Sequence, residues 1–384
     1  MAPPITAQAT AGILLAIVCH LLSVLILHRL VLCITTPSPN KRLAFAAAAL
    51  HIVSPAGIFL LAPYGESLTS LLNFTGMLCY AKGALRSRDT GHPTLIQSLW
   101  TLSAGLSFGI ATTIRSNALL SGAIFAYDIL SSLRSLPSLL TSLAGVQHLA
   151  SLGLASLLTL SGLVIPQYIA YSAYCSPSAA TADTTPRPWC VNTAPSIYTF
   201  VQRHYWNVGF LRYWTASNVP LFLLAAPMLY LLFSTGIRAL AMRTERTSRS
   251  PPPSSTSRDS RNNSAVQTGE ALFAVQMLRR LAVPQLLLAL LALTSFHVQI
   301  VIRIASAYPV WYILLASDML GDDAVGEQAG KERGAIKGRT DNEVRGRGGG
   351  RTGERKEWTP VLVKGLMIYG LVQAGLFASF LPPA

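Results

Sequence analysis

The residues best equipped for chemistry lie in one stretch, from Trp189 to Pro220, where an otherwise apolar chain becomes polar and aromatic. The stretch holds arginines, a histidine, an asparagine and several aromatic rings: Arg203, His204, Tyr205, Trp206, Asn207, Arg212, Tyr213 and Trp214. Aromatic rings beside fixed hydrogen-bonding groups suit a sugar or a polar headgroup. An interfacial belt, with Trp and Tyr at headgroup depth and Arg snorkelling, is the competing interpretation.

The composition predicts a polytopic membrane protein. Of the 384 residues, 51% are hydrophobic and 12% are charged, and the mean hydropathy is +0.44. Soluble domains contain about 25% charged residues. The net charge of +14 comes mostly from arginines in two low-complexity loops, as expected of cytosolic loops, so it does not indicate nucleic-acid binding.

Apolar runs of about twenty residues predict helical spans, since strand alternation is absent. The predicted spans cover 11–33, 43–63, 67–85, a helical pair within 94–133, 139–166, 216–240, 281–302 with a short helix at 308–319, and 361–380. Arg29, Lys41 and Arg42 follow the first span, so the positive-inside rule places the N-terminus outside the cytosol. By alternation, the loop 167–214 is lumenal.

Two polar segments separate groups of spans. The first, within 241–280, is rich in Ser, Pro and Arg, and the second, 321–358, is rich in Gly and Arg. Neither contains enough apolar residues to bury a core, so both are predicted to be cytosolic and disordered. The predicted organisation is therefore 1–240 with the lumenal loop, 241–280 as linker, 281–320 as further spans, 321–358 as insertion and 359–384 as the last span.

Function is expected at the lumenal face, where the predicted topology gathers Tyr64, Glu66, Arg115, Asn117 and Arg303. The polar and aromatic stretch 189–220, called the aromatic loop below, is predicted to lie at the same face. An arginine at membrane depth, such as Arg115, usually faces a cavity or a partner, although at a helix end it can snorkel. Cys175 and Cys190 both lie in the predicted lumenal loop, so they could form a disulfide or remain free thiols. No Cys or His spacing indicates a metal site.

Several runs carry a resemblance to a known family. They are CHLLSVLILHRL (19–30), HIVSPAGIFLLAPYGESL (51–68), TIRSNALL (113–120), PSIYTFVQRHYWNVGFLRYWTASNVPLFLLAAPML (195–229), HVQIVIRIASAYP (297–309) and FLPP (380–383). In this order they resemble the glycosylphosphatidylinositol (GPI) mannosyltransferases that add the second mannose. The long block at 195–229 is the most specific of them.

The resemblance implies a multispanning C-type glycosyltransferase fold with lumenal loops, in the endoplasmic reticulum membrane. It implies dolichyl phosphate mannose as the donor, a mannosylated and acylated GPI precursor as the acceptor, and an inverting alpha-1,6 transfer. A general base deprotonates the acceptor hydroxyl while cationic groups hold the departing phosphate. No cofactor is expected. The expected partners include the membrane lipid and a small membrane subunit.

The sequence departs from the family at its start. Family members carry an earlier span and a lumenal loop with a Trp-Asp pair, whose Asp is the expected base, and this chain begins after it. Glu66 is the nearest lumenal carboxylate that remains; it could act as a base, bind the acceptor or pair with Arg115. We expect weak or no transferase activity from the chain as written.

The substrate-binding assignments follow the chemistry of the side chains. Arginine guanidiniums match phosphate oxygens, so Arg115, Arg203 and Arg212 are the candidates for holding a lipid phosphate. The motif implies sugar contacts for the other candidates: Asn117, His204, Tyr205, Trp206, Asn207 and Trp214. Snorkelling and loop packing are the competing interpretations. A lipid or solute transporter would predict half-chain repeats, which are not found, and a non-catalytic membrane scaffold would bind partners without turnover.

Overall fold

The structure is a computed structural model that describes residues 4–36, 38–175, 187–191, 196–242, 258–321 and 350–379. Its helices, in chain order, are α1 (Ile5–Ile34), α2 (Lys41–Ile52), α3 (Gly57–Leu61), α4 (Glu66–Thr90), α5 (Leu95–Ile114), α6 (Ala123–Ser132), α7 (Leu136–Leu140), α8 (Leu143–Cys175), α9 (Ile197–His204), α10 (Val219–Ala241), α11 (Arg258–Thr294), α12 (Val301–Ile304), α13 (Val310–Leu320) and α14 (Gly350–Ala378). Short 3-10 helices occupy Ser116–Gly122, Leu133–Ser135, Ala216–Asn218, Val298–Ile300 and Ala305–Ala307. Within these ranges there is no strand.

The all-α membrane architecture predicted from the sequence is confirmed. Among the described residues, five helical segments are long and apolar enough to cross a membrane: Ile5–Ile34, Leu95–Ile114, Leu143–Cys175, Ala216–Ala241 and Leu272–Thr294. The pair Val298–Ala307 and Val310–Leu320 is also apolar enough, but it is bent by 78°, as in a broken span or a re-entrant loop. Leucines on the outer face of α1, such as Leu21 and Leu25, are more than half exposed, as lipid-facing side chains would be.

Helix α4 lies between other helices of the bundle. Its 25 residues are enough to cross a membrane, but they are less apolar than those of the five segments above. It packs against α1 on one side and α5 on the other. Its buried residues include Ser67, Thr69, Ser70 and Asn73. Small and polar residues are common where membrane helices approach closely, because they permit interhelical hydrogen bonds. The apolar pattern of α4 is therefore weak, since most of its side chains contact other helices and few would contact lipid.

Two predicted spans are broken helices. The second span divides into α2 and α3 at Pro55, where the chain loses a backbone donor. The eighth ends at Thr294 rather than near residue 302, and short helices lead from there into α13. Tyr308 is extended, with φ −113° and ψ 121°, as expected of a residue that precedes a proline. Pro309 therefore accounts for the bend before α13.

Several helices extend beyond their predicted limits. Helix α8 continues through Pro166 to Cys175, so residues 167–175, which were predicted to begin the loop, are helical. Membrane helices tolerate an internal proline because neighbouring groups satisfy the freed carbonyl. Helix α11 begins at Arg258, inside the predicted linker, and α14 begins at Gly350, inside the predicted insertion. The remainder of those two segments, 243–257 and 322–349, lies outside the described residues.

Helices α5 and α8 pack so closely that only glycine fits at their contact. A Cβ atom built on Gly109 would lie 2.3 Å from the backbone oxygen of Leu158, and one on Gly162 would lie 2.0 Å from that of Gly109. Backbone atoms cannot rotate away as a side chain can, so the helices would have to separate. This contact fixes the C-terminal end of α5, where Arg115 follows.

We expect Gly109→Ala to destabilise the purified chain by about 1–3 kcal/mol, the usual range for overpacking a close contact. The measurement is the thermal unfolding midpoint in detergent. Gly153→Ala is the matched control, because Gly153 lies on α8 with no atom within 4 Å of its built Cβ. Equal midpoints for the two variants would contradict this account of the contact.

Candidate functional site

Two arginines from distant parts of the chain converge on one buried carboxylate. Glu66 lies in the first turn of α4, and its side chain is fully buried. Its Oε1 lies 2.5 Å from Arg115 Nη1 in a salt bridge, and it accepts hydrogen bonds from Arg303 Nε and Nη2 at 2.8 and 2.5 Å. Arg115 follows α5 and Arg303 lies in α12, so this ion cluster joins three elements. Of the alternatives that the sequence left for Glu66, pairing with Arg115 is observed.

The cluster keeps a surplus positive charge at a partly open edge. Two guanidiniums and one carboxylate sum to +1. The side chains of Arg115 and Arg303 are 22% and 19% exposed, whereas Glu66 is inaccessible. The Oε2 atom of Glu66 is also buried and has no hydrogen-bond partner among the described residues. The arrangement can therefore accept an anion on the arginines and one more donor on Oε2.

Aromatic rings and a close backbone contact hold the two arginines in place. The guanidinium of Arg303 lies 4.3 Å from the ring centre of Phe59 and 4.8 Å from that of Tyr64. Both are cation–π distances. A Cβ atom on Gly65 would lie 2.8 Å from the side chain of Ile114. The absence of a side chain at 65 lets the start of α4 approach the end of α5, where Arg115 begins.

A second layer of hydrogen bonds fixes the backbone around the cluster. Asn73 Nδ2 donates to the carbonyl of Ala307 at 2.8 Å, and Asn73 Oδ1 accepts from Ser121 at 2.6 Å. The hydroxyl of Tyr308 donates to the carbonyl of Asn117 at 3.0 Å. The predicted site residue Asn117 is thus observed to contribute its carbonyl oxygen to the fold. These bonds attach the break before α13 to α4 and to the segment after Arg115.

His51 anchors the same break from the middle of the bundle. It is fully buried, with Nδ1 2.9 Å from the hydroxyl of Tyr312 in α13 and Nε2 2.8 Å from the hydroxyl of Ser23 in α1. Ser306, in the break, donates to the carbonyl of Arg303 at 2.7 Å. Polar groups in a membrane interior are costly without partners, so these bonds strongly favour one orientation of the broken helix. Arg303 lies in the same segment, so these bonds also fix the position of its side chain.

The aromatic loop is fastened to the C-terminal end of α11. The indole of Trp214 donates to the carbonyl of Leu293 at 2.8 Å, and Tyr213 donates to Gln299 at 2.9 Å. His297 Nε2 lies 2.7 Å from the carbonyl of Trp206. Asn207 and Leu211 have positive φ, 49° and 56°, which gives the loop its tight path. The chain runs from this anchorage directly through Gln299 to Arg303.

The remaining predicted binding residues lie on exposed surface at the same end of the bundle. Arg203 and His204 end the amphipathic helix α9, and His204 stacks on Phe200 at 5.1 Å. Tyr205, Trp206, Arg212 and Trp214 are exposed as well. Helix α9 contacts the residue that follows Arg115: the hydroxyl of Tyr198 lies 2.6 Å from that of Ser116. The structure thus brings Arg115 together with Arg303 and Glu66, and it leaves Arg203 and Arg212 without a salt bridge to any described residue.

Arg303 is the residue that sequence reasoning placed at this face but did not select. The sequence shows it as a single arginine within the apolar run HVQIVIRIASAYP (297–309), directly after the eighth predicted span. A charged residue in such a run usually has a partner. The partner could not be chosen from the sequence because 237 residues separate Arg303 from Glu66.

Cys175 and Cys190 form a disulfide, with Cα atoms 5.5 Å apart. It ties the end of α8 to Trp189, which packs edge-on against Tyr174. Arg187 lies over the same tyrosine at 4.6 Å. In the described residues, no group of three or more His, Cys, Asp or Glu side chains is placed to hold a metal ion.

Comparison with known proteins identifies related chains. Residues 6–384 match the profile of the family described as mannosyltransferase (PIG-V). "GPI mannosyltransferase 2" of Chaetomium globosum is 40% identical over 99% of this chain and 72% of its own length, and that of Aspergillus fumigatus is 43% identical over 95% and 73%. "GPI alpha-1,6-mannosyltransferase 2" of Rattus norvegicus is 34% identical over 58% of this chain and 43% of its own. No solved structure matches.

We expect Glu66→Gln to destabilise the chain by about 3–5 kcal/mol, because two partly buried guanidiniums would lose their counter-charge. The measurement is the thermal midpoint in detergent. Asp89→Asn is the control, since the exposed pair of Asp89 with Arg88 is worth at most about 1 kcal/mol. Adding Arg303→Gln to Glu66→Gln should recover part of the loss. A Glu66→Gln midpoint equal to that of Asp89→Asn would refute the structural role of the carboxylate.

We expect the disulfide to stabilise the loop that it closes. The cysteines are 15 positions apart, and closing a loop of that length contributes about 3 kcal/mol in the chain-entropy model. Cys175→Ser should therefore lower the thermal midpoint and increase protease cleavage between α8 and α9. Cys79→Ala, at a free cysteine, is the control. If reductant shifts neither midpoint nor cleavage of the unsubstituted chain, the bridge does not stabilise this loop.

Proposed function

The chain belongs to the PIG-V family of mannosyltransferases, and on that premise we propose that it transfers the second mannose to the GPI precursor. The donor is dolichyl phosphate mannose, the new bond is alpha-1,6, and the reaction occurs at the lumenal side of the endoplasmic reticulum membrane. The observation that carries the proposal at the level of the site is the convergence of Arg115 and Arg303 on Glu66. Their surplus positive charge suits a lipid phosphate.

The proposed reaction is a single displacement. The 6-hydroxyl oxygen of the acceptor mannose attacks the anomeric carbon of the donor, and the bond from that carbon to the phosphate oxygen breaks. The electron pair leaves with dolichyl phosphate, and the hydroxyl proton passes to a base. Arg115 and Arg303 would stabilise the charge that develops on the leaving phosphate. Because the donor is a lipid-linked sugar, the proposal includes no nucleotide.

Glu66 serves in this proposal as a positioning group. Its Oε1 already accepts two hydrogen bonds from Arg303 and forms a salt bridge with Arg115. A carboxylate that aligns two guanidiniums lets both meet a phosphate without first paying the entropy of ordering them. The base is then expected from the Trp-Asp loop that the family resemblance implies, and the aromatic loop at Trp206 and Trp214 would hold sugar rings by stacking.

We expect Arg115→Gln and Arg303→Gln each to lower the transfer rate by about 10- to 100-fold, since each removes charged hydrogen bonds worth roughly 1.5–3 kcal/mol. The assay follows radiolabelled mannose from dolichyl phosphate mannose into the GPI precursor, with each substitution made in a version of the chain extended by the family's Trp-Asp loop. Lysine at either position should rescue only part of the rate, because an ammonium lacks the guanidinium fork. Arg203→Gln and Arg212→Gln are the comparison variants, because these exposed arginines are the other candidates for holding the phosphate. A larger loss in these controls than at Arg115 would move the phosphate site to the loop.

Complementation tests the assignment as a whole. Cells that lack the second GPI mannosyltransferase would express this chain, or a version extended at its N-terminus by the family's Trp-Asp loop. Restored surface GPI-anchored protein and loss of the accumulated precursor are expected with the extended version. If both versions reach the membrane and neither restores anchors, the transferase assignment fails and a scaffold role is favoured.

A further inference from the structure

A second cavity lies at the opposite end of the bundle from the ion cluster. It has a volume of about 500 Å³ and opens between α4, α5, α6, α8 and α11. Its lining combines polar and apolar surface in similar amounts, and the residues that matter below are Tyr80, Arg88, Gln97, Asp128, His148 and Arg280. Tyr80 and Arg88 are 14 and 22 residues beyond Glu66 on α4, so about 21 to 33 Å of helix separates this cavity from the proposed transferase site.

The charged groups of the cavity leave cationic donors free. Asp128 is nearly buried, and both of its oxygens are used: one accepts from Arg280 Nε at 2.7 Å, and the other accepts from the hydroxyl of Tyr80. The Nη atoms of Arg280 have no hydrogen-bond partner among the described residues. Arg88 stands at the rim, paired with the exposed Asp89 and lying over the ring of Phe273. The unused hydrogen-bonding capacity near Arg280 therefore suits an anion.

Gln97 presents an amide oxygen, Oε1, that lacks a hydrogen-bond donor among the described residues. It is 7% exposed, and its Oε1 is buried without a partner in the described part of the chain. Its Nε2 lies 3.4 Å from Nδ1 of His148. A buried carbonyl oxygen left without a donor costs free energy, so a ligand hydroxyl at this position would be stabilising. The cavity thus combines an anion site with a hydroxyl site.

The position of the cavity favours a lipid over a soluble ligand. Leu272, in the lining, is 41% exposed, and Leu95 and Ile96, which precede Gln97 in α5, are 68% and 48% exposed, as side chains facing lipid would be. Basic residues surround this end: Arg29, Lys41, Arg42, Lys82, Arg86, Arg134, Arg238 and Arg279. Basic pockets between membrane helices on the cytosolic side commonly receive anionic headgroups.

We propose that this cavity binds the headgroup of a phospholipid that carries a phosphate and a polyol, with the phosphate on the free N–H groups of Arg280 and a ring hydroxyl on Gln97. Arg88 lies at the rim, where its charge is paired with Asp89. The site is separate from the proposed transfer reaction, and its occupancy does not depend on that reaction. Phosphatidylinositol is the common phospholipid with this chemistry, and phosphatidic acid carries the phosphate without the polyol.

The test is native mass spectrometry of the detergent-purified chain with phosphatidylinositol, phosphatidic acid or phosphatidylcholine. We expect the three lipids to bind in that order of decreasing affinity. The double variant Asp128→Asn/Arg280→Gln removes the ion pair without leaving an unpaired charge, and it should weaken phosphatidylinositol binding about tenfold or more. Gln97→Leu should weaken phosphatidylinositol but leave phosphatidic acid unchanged. Arg86→Gln, an exposed arginine outside the lining, is the control and should change neither.

Three outcomes would overturn the proposal. The first is unchanged phosphatidylinositol binding in both the double variant and Gln97→Leu, and the second is an equal loss in Arg86→Gln, which would indicate a diffuse charge effect. The third is binding of soluble inositol phosphate or inorganic phosphate as tightly as the lipid, with the same dependence on Arg280, which would assign the cavity to a soluble phosphate compound. If the double variant does not fold, the contrast between the two lipids in Gln97→Leu decides by itself.

Discussion

The structure depends on one carboxylate oxygen that holds two guanidiniums together. Arg115 and Arg303 would repel each other at the distances observed, and the repulsion is stronger where water is scarce. Oε1 of Glu66 makes their proximity stable, and the geometry is demanding because both arginines form a salt bridge with the same atom. Three elements that are far apart in sequence are therefore held in one arrangement.

The rest of the bundle orients the two partners of that carboxylate. The tight packing of α5 on α8 fixes the end of α5, from which Arg115 projects. Arg303 is oriented differently, through a broken helix whose freed backbone groups bond to Asn73 and whose following helix is held at Tyr312 by His51. A break in a membrane helix is tolerable only where protein groups surround it. Here the break places a charged side chain at the start of α4.

The sequence predicted the architecture better than the contacts. Apolar runs located most of the helices because a span must be apolar over about twenty residues. They misplaced the end of α8, because Pro166 resembles a stop signal but lies within a helix whose neighbours compensate. Arg115 was recognised at the turn after α5, and pairing with Glu66 was one of three alternatives for that residue. The pairing with Arg303 depends on how α12 is oriented against α4, and no local pattern encodes that orientation.

The polarity of α4 has a consequence for how the chain is made. The translocon releases a segment into lipid according to its apolar content, and a helix that carries Glu66, Asn73 and several hydroxyls gains little by entering lipid alone. Its flanking helices α1 and α5 are each apolar enough to enter by themselves. Membrane insertion of α4 must therefore be cooperative, with its polar face covered by those neighbours as it leaves the translocon. Biogenesis of this protein is in that respect a folding problem before it is a partitioning problem.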